Sequence, residues 1–192
     1  MKVEQYNFIR GMSASGKTLF TQKLVSCLSN KTLYYSLDGG NHDLFQSAAR
    51  SGRQLTMSGF QNKSSTFGKL LKEIINFNEE MFEMWNIVID PITLIPSKPG
   101  EFNEFLNALP KNHRYFFTEQ RYTLEEKDYI KNYNKNQVFD RYSFLPKGSI
   151  SIFNTIKIKN DILIYNYNTN EEYNFGDVAQ IIRDIKINEI LK

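Results

Sequence analysis

Short runs of apolar residues alternate along this chain with stretches in which apolar residues recur at helical spacing. The runs are bounded by glycine, proline or polar residues, and their lengths are typical of β-strands. Four of them predict strands, at residues 6–9, 33–37, 86–95 and 114–120. The third run, NIVIDPITLI, is apolar almost throughout, which is typical of a central parallel strand buried on both faces.

The stretches between these runs predict helices, because their apolar residues are spaced to form one face. They lie at residues 17–29, 43–50, 101–109 and in the segment that follows Ser65, a candidate N-cap. In the first of these helices the apolar face consists of Phe20, Leu24, Cys27 and Leu28. In the segment after Ser65 it consists of Leu70, Leu71, Ile74, Ile75, Met81 and Phe82.

The last part of the chain has a different pattern. The segment SISIFNTIKIKNDILIYNYN alternates apolar and polar residues around Asn160 and Asp161, which predicts an antiparallel hairpin. Residues 177–192 predict an amphipathic helix with Asp177 as its N-cap. The whole order predicts an α/β fold in a single domain over residues 1–192, with a mostly parallel central sheet flanked by helices and a C-terminal antiparallel hairpin.

Composition narrows the classes of protein that this chain can belong to. A net charge of +3 permits contact with nucleic acid but does not require it. The single cysteine, Cys27, excludes an internal disulfide and is typical of a reducing compartment. The chain has no apolar run of about 18 residues, and its N-terminus lacks the apolar core of a secretory signal. We therefore expect a cytoplasmic protein without a membrane segment.

The segment GMSASGKT, from Gly11 to Thr18, matches the phosphate-loop pattern Gly-x-x-x-x-Gly-Lys-Thr. The two glycines allow the backbone to curl so that its N–H groups converge on phosphate oxygens, and Lys17 places a positive charge against the outer phosphates. A chance match in a turn rich in glycine and serine is disfavoured, because a strand precedes the segment and a helix follows it. The residues predicted to bind the nucleotide are Gly11, Met12, Ser13, Ala14, Ser15, Gly16, Lys17, Thr18 and Leu19.

A phosphate loop needs a cation and a carboxylate that orders it. We predict that Mg²⁺ is held by the hydroxyl of Thr18 and by Asp90, which ends an apolar strand. The alternative for Asp90 is a turn residue before Pro91. The sequence contains no Asn/Thr-Lys-x-Asp motif for recognising guanine, which favours ATP as the nucleotide.

Four segments of the chain together resemble the RecA-like ATPase core that recombinases, hexameric replicative helicases and clock-type ATPases share. They are GMSASGKT, TLYYSLDGG, IVIDPITLI and FFTEQR. The likeness covers residues 6 to about 120 well and the C-terminal hairpin loosely. The chain most resembles the minimal single-domain members that phages and related elements carry. The resemblance implies a RecA-like P-loop NTPase that hydrolyses ATP with Mg²⁺ and acts in DNA recombination, annealing or replication.

The resemblance also implies roles for individual residues. Asp38 becomes the general base that polarises the attacking water, although the family usually has Glu there, and a plain turn is the alternative. Glu119 is the rival carboxylate. Gln120 becomes the sensor of the γ-phosphate, so that Lys17, Asp38 and Gln120 form the predicted catalytic set.

Further features predict partners. Lys157 and Lys159 resemble the basic pair that reaches the nucleotide of a neighbouring subunit in a homo-oligomer, with Arg121 and Arg141 as alternatives. A solvated strand edge is the other interpretation. Residues 122–148 interleave aromatic and cationic side chains, a composition suited to single-stranded DNA, but acidic residues dilute it. The members of the interleaved set are Tyr129, Lys131, Tyr133, Lys135, Phe139, Arg141 and Tyr142.

Two other functions stay open at this point. A nucleoside or nucleotide kinase shares this loop and this size, but its arginine-rich lid has no counterpart, since the later half of the chain has no arginine cluster. A non-catalytic module that binds nucleotide only to assemble with a partner would tolerate Asp38 in place of the usual Glu. The two histidines, His42 and His113, lack ligand partners at a suitable spacing, so no zinc site is predicted.

Overall fold

A computed structural model describes residues 1–28, 30–37, 55–58, 66–80, 83–120 and 139–190 of the chain. The described strands all belong to one sheet. In chain order they are β1 (Tyr6–Gly11), β2 (Thr32–Ser36), β3 (Leu55–Ser58), β4 (Asn86–Asp90), β5 (Arg114–Gln120), β6 (Ile150–Ile158), β7 (Asp161–Asn166) and β8 (Glu171–Asn174). The described α-helices are α1 (Lys17–Ser26), α2 (Phe67–Glu80), α3 (Glu101–Ala108) and α4 (Val178–Ile190).

The strand order across the sheet is β3-β2-β4-β5-β1-β6-β7-β8. All neighbouring strands from β3 to β6 pair in parallel, whereas β6 with β7 and β7 with β8 pair antiparallel. This arrangement confirms the predicted mixed α/β architecture. Because the carboxyl ends of parallel strands share one edge, Ser36, Asp90, Gln120 and Gly11 end their strands at that edge.

The sheet has a hydrophobic core on each face, as expected for strands that are apolar throughout. On the α1 face, α1 and α4 cover the sheet; on the α2–α3 face, α2 and α3 cover it. The α1 face includes the strand residues Ile9, Tyr34, Val88, Phe116 and Phe153. The α2–α3 face includes the strand residues Phe8, Tyr35, Ile89, Phe117 and Ile152. Consecutive residues of a strand therefore face different helices, which decides what each polar residue at the carboxyl edge contacts.

Several predicted boundaries are corrected by the structure. The first helix ends at Ser26, and the β6–β7 turn consists of Lys159 and Asn160, because Asp161 already pairs with Ile158. Ile75 is 36% exposed rather than part of the buried face of α2. The sequence did not predict β3 and β8.

Some other predictions concern residues that the structure does not describe. The predicted helix at 43–50, the candidate cap Ser65 and the face residues Met81 and Phe82 lie outside the described residues. Within the described residues, no helix combines the length and the apolar character that a membrane crossing requires.

His113 lies buried near the amino edge of the sheet. Its Nδ1 atom accepts a hydrogen bond from the backbone N–H of Trp85 at 3.3 Å. Its Nε2 atom has no hydrogen-bond partner among the described residues. Burial lowers the pKa of His113 below its usual value, because the charged imidazolium is poorly solvated there.

We expect acid to destabilise the protein partly through His113. A histidine whose pKa is lowered by folding favours the folded state above its unfolded pKa of about 6.5, and this contribution is lost as the pH falls below that value. The loss is at most about 1.4 kcal/mol per pH unit. His113→Asn keeps an acceptor for the Trp85 N–H but does not titrate. Urea unfolding at several pH values should show a smaller acid loss for the variant, and equal losses would contradict the assignment.

Candidate functional site

The phosphate loop joins the end of β1 to the start of α1, and a side chain at either of its two glycines would collide with neighbouring atoms. A Cβ atom on Gly11 would lie 2.4 Å from Ser15 Oγ and 2.6 Å from the carbonyl oxygen of Thr155. A Cβ atom on Gly16, whose φ is +90°, would lie 2.3 Å from Ile162 Cδ1. The spacing of the motif is therefore enforced by close contacts with β6 and β7 as well as by backbone conformation.

Hydrogen bonds hold the loop in a closed turn. The Ser15 N–H donates to the Met12 carbonyl at 3.3 Å, and the Ser15 and Thr155 hydroxyls are 2.8 Å apart. Lys17 Nζ donates to the same Met12 carbonyl at 2.5 Å. Helix α1 begins at Lys17, so the unpaired N–H groups of its first turn and its positive dipole end point into the loop.

Lys17 is buried at the base of this loop, with 8% of its surface exposed. Burial lowers the pKa of the Lys17 ammonium, and the negative charge of Asp90 partly opposes that effect. A buried ammonium without a directly paired carboxylate gains from any anion that approaches it. The loop therefore combines a concave backbone, a helix N-terminus and a cation that an anionic ligand would stabilise.

Asp90 is the centre of a buried cluster of hydroxyl donors. Thr18 Oγ1 donates to Asp90 Oδ2 at 2.7 Å, and the Tyr34 hydroxyl donates to the same oxygen at 2.8 Å. Thr118 Oγ1 donates to Asp90 Oδ1. Side chains from β2, β4 and β5 meet at this point because all of them project from the α1 face at the carboxyl edge of the sheet.

The donor set of this cluster suits Mg²⁺. This cation prefers oxygen ligands and is commonly bound by one or two protein groups together with phosphate oxygens and water. The Thr18 hydroxyl and the Asp90 carboxylate supply such oxygens directly beside the phosphate loop. The described residues contain no group of three or more His, Cys, Asp or Glu side chains that could hold a metal by themselves. The residues present therefore fit a cation that arrives with a phosphate ligand.

We expect Tyr34→Phe to raise the Mg²⁺ concentration that half-saturates nucleotide binding by about fivefold, the equivalent of one lost hydrogen bond of about 1 kcal/mol. The hydroxyl of Tyr34 donates to Asp90, so its loss should act through the cation, and nucleotide affinity without Mg²⁺ should stay unchanged. Tyr35→Phe is the matched control, because it removes the same group from the opposite face. An equal loss with and without Mg²⁺ would assign Tyr34 to the stability of the fold instead.

Gln120 ends β5 beside the phosphate loop. Its backbone is in register with Gly11, the first residue of the loop, and its N–H donates to Thr93 Oγ1 at 3.3 Å. Glu119, in contrast, projects from the α2–α3 face, away from Asp90 and Thr18. This placement excludes Glu119 as the rival general base.

Glu119 belongs to a buried ionic cluster. Its Oε2 atom lies 3.5 Å from Arg10 Nε and 3.7 Å from Arg141 Nη1, and its Oε1 atom accepts a hydrogen bond of 2.7 Å from Tyr142. Burial raises the pKa of the Glu119 carboxyl, and Arg141 and Tyr142 partly counteract it. Tyr142 is fully buried and Phe139 packs against the core, so neither is an exposed stacking surface for DNA.

Of the remaining predicted site residues, some lie among the described residues and others lie outside them. Asp38, Arg121 and residues 122–138 lie outside the described residues. Lys157 lies on β6, but Lys159 lies in the turn with a φ of +54°, so the two lysines do not share a strand face.

Sequence reasoning missed several residues that shape the site, among them Tyr34, Thr118, Thr155 and Ile162. Tyr34 and Thr118 could have been suspected, since hydroxyl-bearing residues at the ends of neighbouring parallel strands lie close together. The contacts of Thr155 and Ile162 with the loop depend on where the hairpin folds, and the sequence pattern does not specify that.

Comparison with known proteins gives distant structural similarity only. No protein-family model and no curated protein matches the chain. Among solved structures, the chain is similar to an ATPase from the type III secretion system of pathogenic bacteria, with 13% sequence identity and a TM-score of 0.38. The match covers 81% of this chain and 53% of that one, so the chain spans about half the length of the matched structure.

Proposed function

We propose that the chain is a Mg²⁺-dependent P-loop ATPase that binds ATP along residues 11–19. The observation that carries the proposal is the 2.7 Å hydrogen bond between Thr18 and Asp90 at the mouth of the phosphate loop. This hydrogen bond connects the phosphate loop to Asp90 on β4, whose carboxylate can order the cation. The loop pattern, the steric requirement for Gly11 and Gly16 and the burial of Lys17 support the same proposal.

Each residue of the site has a distinct role in this proposal. The backbone N–H groups of the loop and of the first turn of α1 bind phosphate oxygens, and Lys17 stabilises the charge that develops on the outer phosphates. Thr18 and Asp90 would hold Mg²⁺, which neutralises phosphate charge when it is bound. Gln120, whose backbone is in register with Gly11, is the residue that we propose to contact the γ-phosphate. The resemblance assigns Asp38 to the water.

Equilibrium binding and phosphate release test the proposal on the wild-type protein. We expect ATP to bind more tightly with Mg²⁺ than with EDTA, and phosphate to be released at a rate that requires Mg²⁺. If the wild type bound ATP but released no phosphate, and Asp38→Asn bound ATP with the same affinity, a non-catalytic nucleotide-binding module would be favoured. A labelled nucleoside that became phosphorylated would favour a kinase.

We further propose that the ATPase is RecA-like and acts as a homo-oligomer on single-stranded DNA, in recombination, annealing or replication of the phage type. The resemblance of the four sequence segments supports this finer proposal, as does the mildly basic charge. Turnover per chain should then rise with protein concentration and with added single-stranded DNA. A turnover that depends on neither would remove the assembly on DNA and leave nucleotide binding intact.

A further inference from the structure

We propose that the β6–β7 hairpin forms the wall of the site beside the nucleoside, and that Lys157 binds the α-phosphate of the nucleotide held by its own chain. The part concerned is the overhang, residues 155–162, which extends past the last paired residue of β1. The inference rests on the proposed function, because it names a binding residue of that same site. It differs from the role in a neighbouring subunit that the resemblance implies for this lysine.

The overhang contacts the phosphate loop at both of its glycines. The ladder between β1 and β6 ends where Arg10 pairs with Asn154, so the next residue, Thr155, is free to contact the loop. Its hydroxyl lies 2.8 Å from Ser15 Oγ, and its carbonyl closes the space beside Gly11. From the second strand, Ile162 fills the space beside Gly16. The overhang is therefore part of the site's wall in the same chain.

Lys157 projects from the face of β6 that meets the loop. Alternate residues of a strand share a face, and Phe153 on this face packs against Phe20 of α1, with ring centroids 5.4 Å apart. Thr155 comes next on the face, and Lys157 follows it about 7 Å further along the strand. Lys157 also pairs directly with Ile162, the residue that touches Gly16.

Within the described part of the chain, the Lys157 side chain is exposed and has no ion pair or hydrogen-bond partner. The other lysine near the phosphates, Lys17, is buried at the base of the loop and donates to Met12. The two cations therefore flank the loop from different sides.

The sheet order sets the direction in which a nucleotide would lie. Thr18 and Asp90 are the residues that would hold the cation, and a cation there would neutralise charge on the outer phosphates. Asp90 belongs to β4, which lies on one side of β1, whereas the overhang belongs to β6 and β7 on the other side. The outer phosphates therefore lie toward Asp90, and the α-phosphate and the nucleoside lie toward the overhang. Lys157 is the cation on that side.

The experiment compares the affinities of ATP and ADP for Lys157→Gln, with Lys69→Gln as the control. The control removes an exposed lysine from α2, which covers the opposite face of the sheet. We expect Lys157→Gln to weaken ATP and ADP binding equally, by about tenfold, as for one lost charge-assisted hydrogen bond. The loss should not depend on protein concentration, and Lys69→Gln should bind as the wild type does.

An experiment with mixed variants tests whether the Lys157 that contacts the nucleotide belongs to the same chain or to a neighbouring subunit. Lys17→Ala chains keep Lys157 but lack the lysine of the loop, so in an oligomer they could supply Lys157 to a Lys157→Gln neighbour. Rescue of turnover in such a mixture would overturn the assignment to the same chain, and a loss confined to ATP would overturn the assignment to the α-phosphate. Unchanged affinities for both nucleotides would also overturn it. If the wild type bound neither ATP nor ADP, the proposed function itself would fail, and this inference with it.

Discussion

Replacing Lys17 with alanine is expected to lower ATP turnover by about 10²- to 10³-fold, the usual cost of removing one group that stabilises charge in the transition state. Lys17 is the buried cation of the phosphate loop, and no other described lysine lies within the loop. The affinity for ATP should fall as well, because the proposed function has the ammonium contact the triphosphate already in the bound state. Phosphate release under single-turnover conditions and equilibrium binding measure the two effects separately.

The same substitution should leave the fold nearly unchanged. Burial lowers the pKa of Lys17, which means that the folded protein disfavours its charged form. Its removal therefore relieves a desolvation cost and loses one hydrogen bond to Met12, worth about 1 kcal/mol. Lys23→Ala, on the same helix, is the matched control and should retain full ATP affinity. Unaltered ATP binding by a folded Lys17→Ala protein would contradict the assignment of the loop.

The sequence predicted the parts of the fold whose residues are buried on both faces. The runs that became β1, β4 and β5 are apolar because helices cover both sides of the sheet there. β3 and β8 were missed for the opposite reason, since both are four-residue strands at the edges of the sheet. The sequence of β8, EEYN, carries charges that an edge strand tolerates and that resemble a loop.

The sequence predicted those residues of the site that lie close together along the chain. Gly11, Gly16, Lys17 and Thr18 lie within eight consecutive residues, so the spacing alone identifies them. The face of the sheet from which the Glu119 side chain projects could not be predicted in the same way. Consecutive strand residues point to opposite faces, but only the placement of α1 determines which face holds the nucleotide. The contacts of the hairpin with the loop join residues about 140 positions apart in sequence, as Ser15 and Thr155 show.

The removal of Glu119 should be the most destabilising single change among those considered. Glu119→Ala would leave Arg10, which is 5% exposed, as a buried cation without its carboxylate. Breaking a buried ion pair from one side typically costs about 3–5 kcal/mol. Arg141 should suffer less, because its side chain is 53% exposed and can be hydrated. Urea unfolding of Glu119→Ala and Arg141→Ala compares the two cases directly.

Removing both charges should be much less harmful than removing one. Burial raises the pKa of Glu119, although Arg141 and Tyr142 act to lower it. Ionising this carboxyl in the folded protein therefore carries a desolvation cost that these partners do not fully offset. The carboxyl therefore favours the folded state most at acid pH, and this contribution is lost as the pH rises through its raised pKa. We expect the double variant Arg10→Met/Glu119→Leu to recover most of the stability that Glu119→Ala loses. If the double variant were as unstable as Glu119→Ala, the cluster would stabilise the fold by its packing and shape rather than by the pairing of its charges.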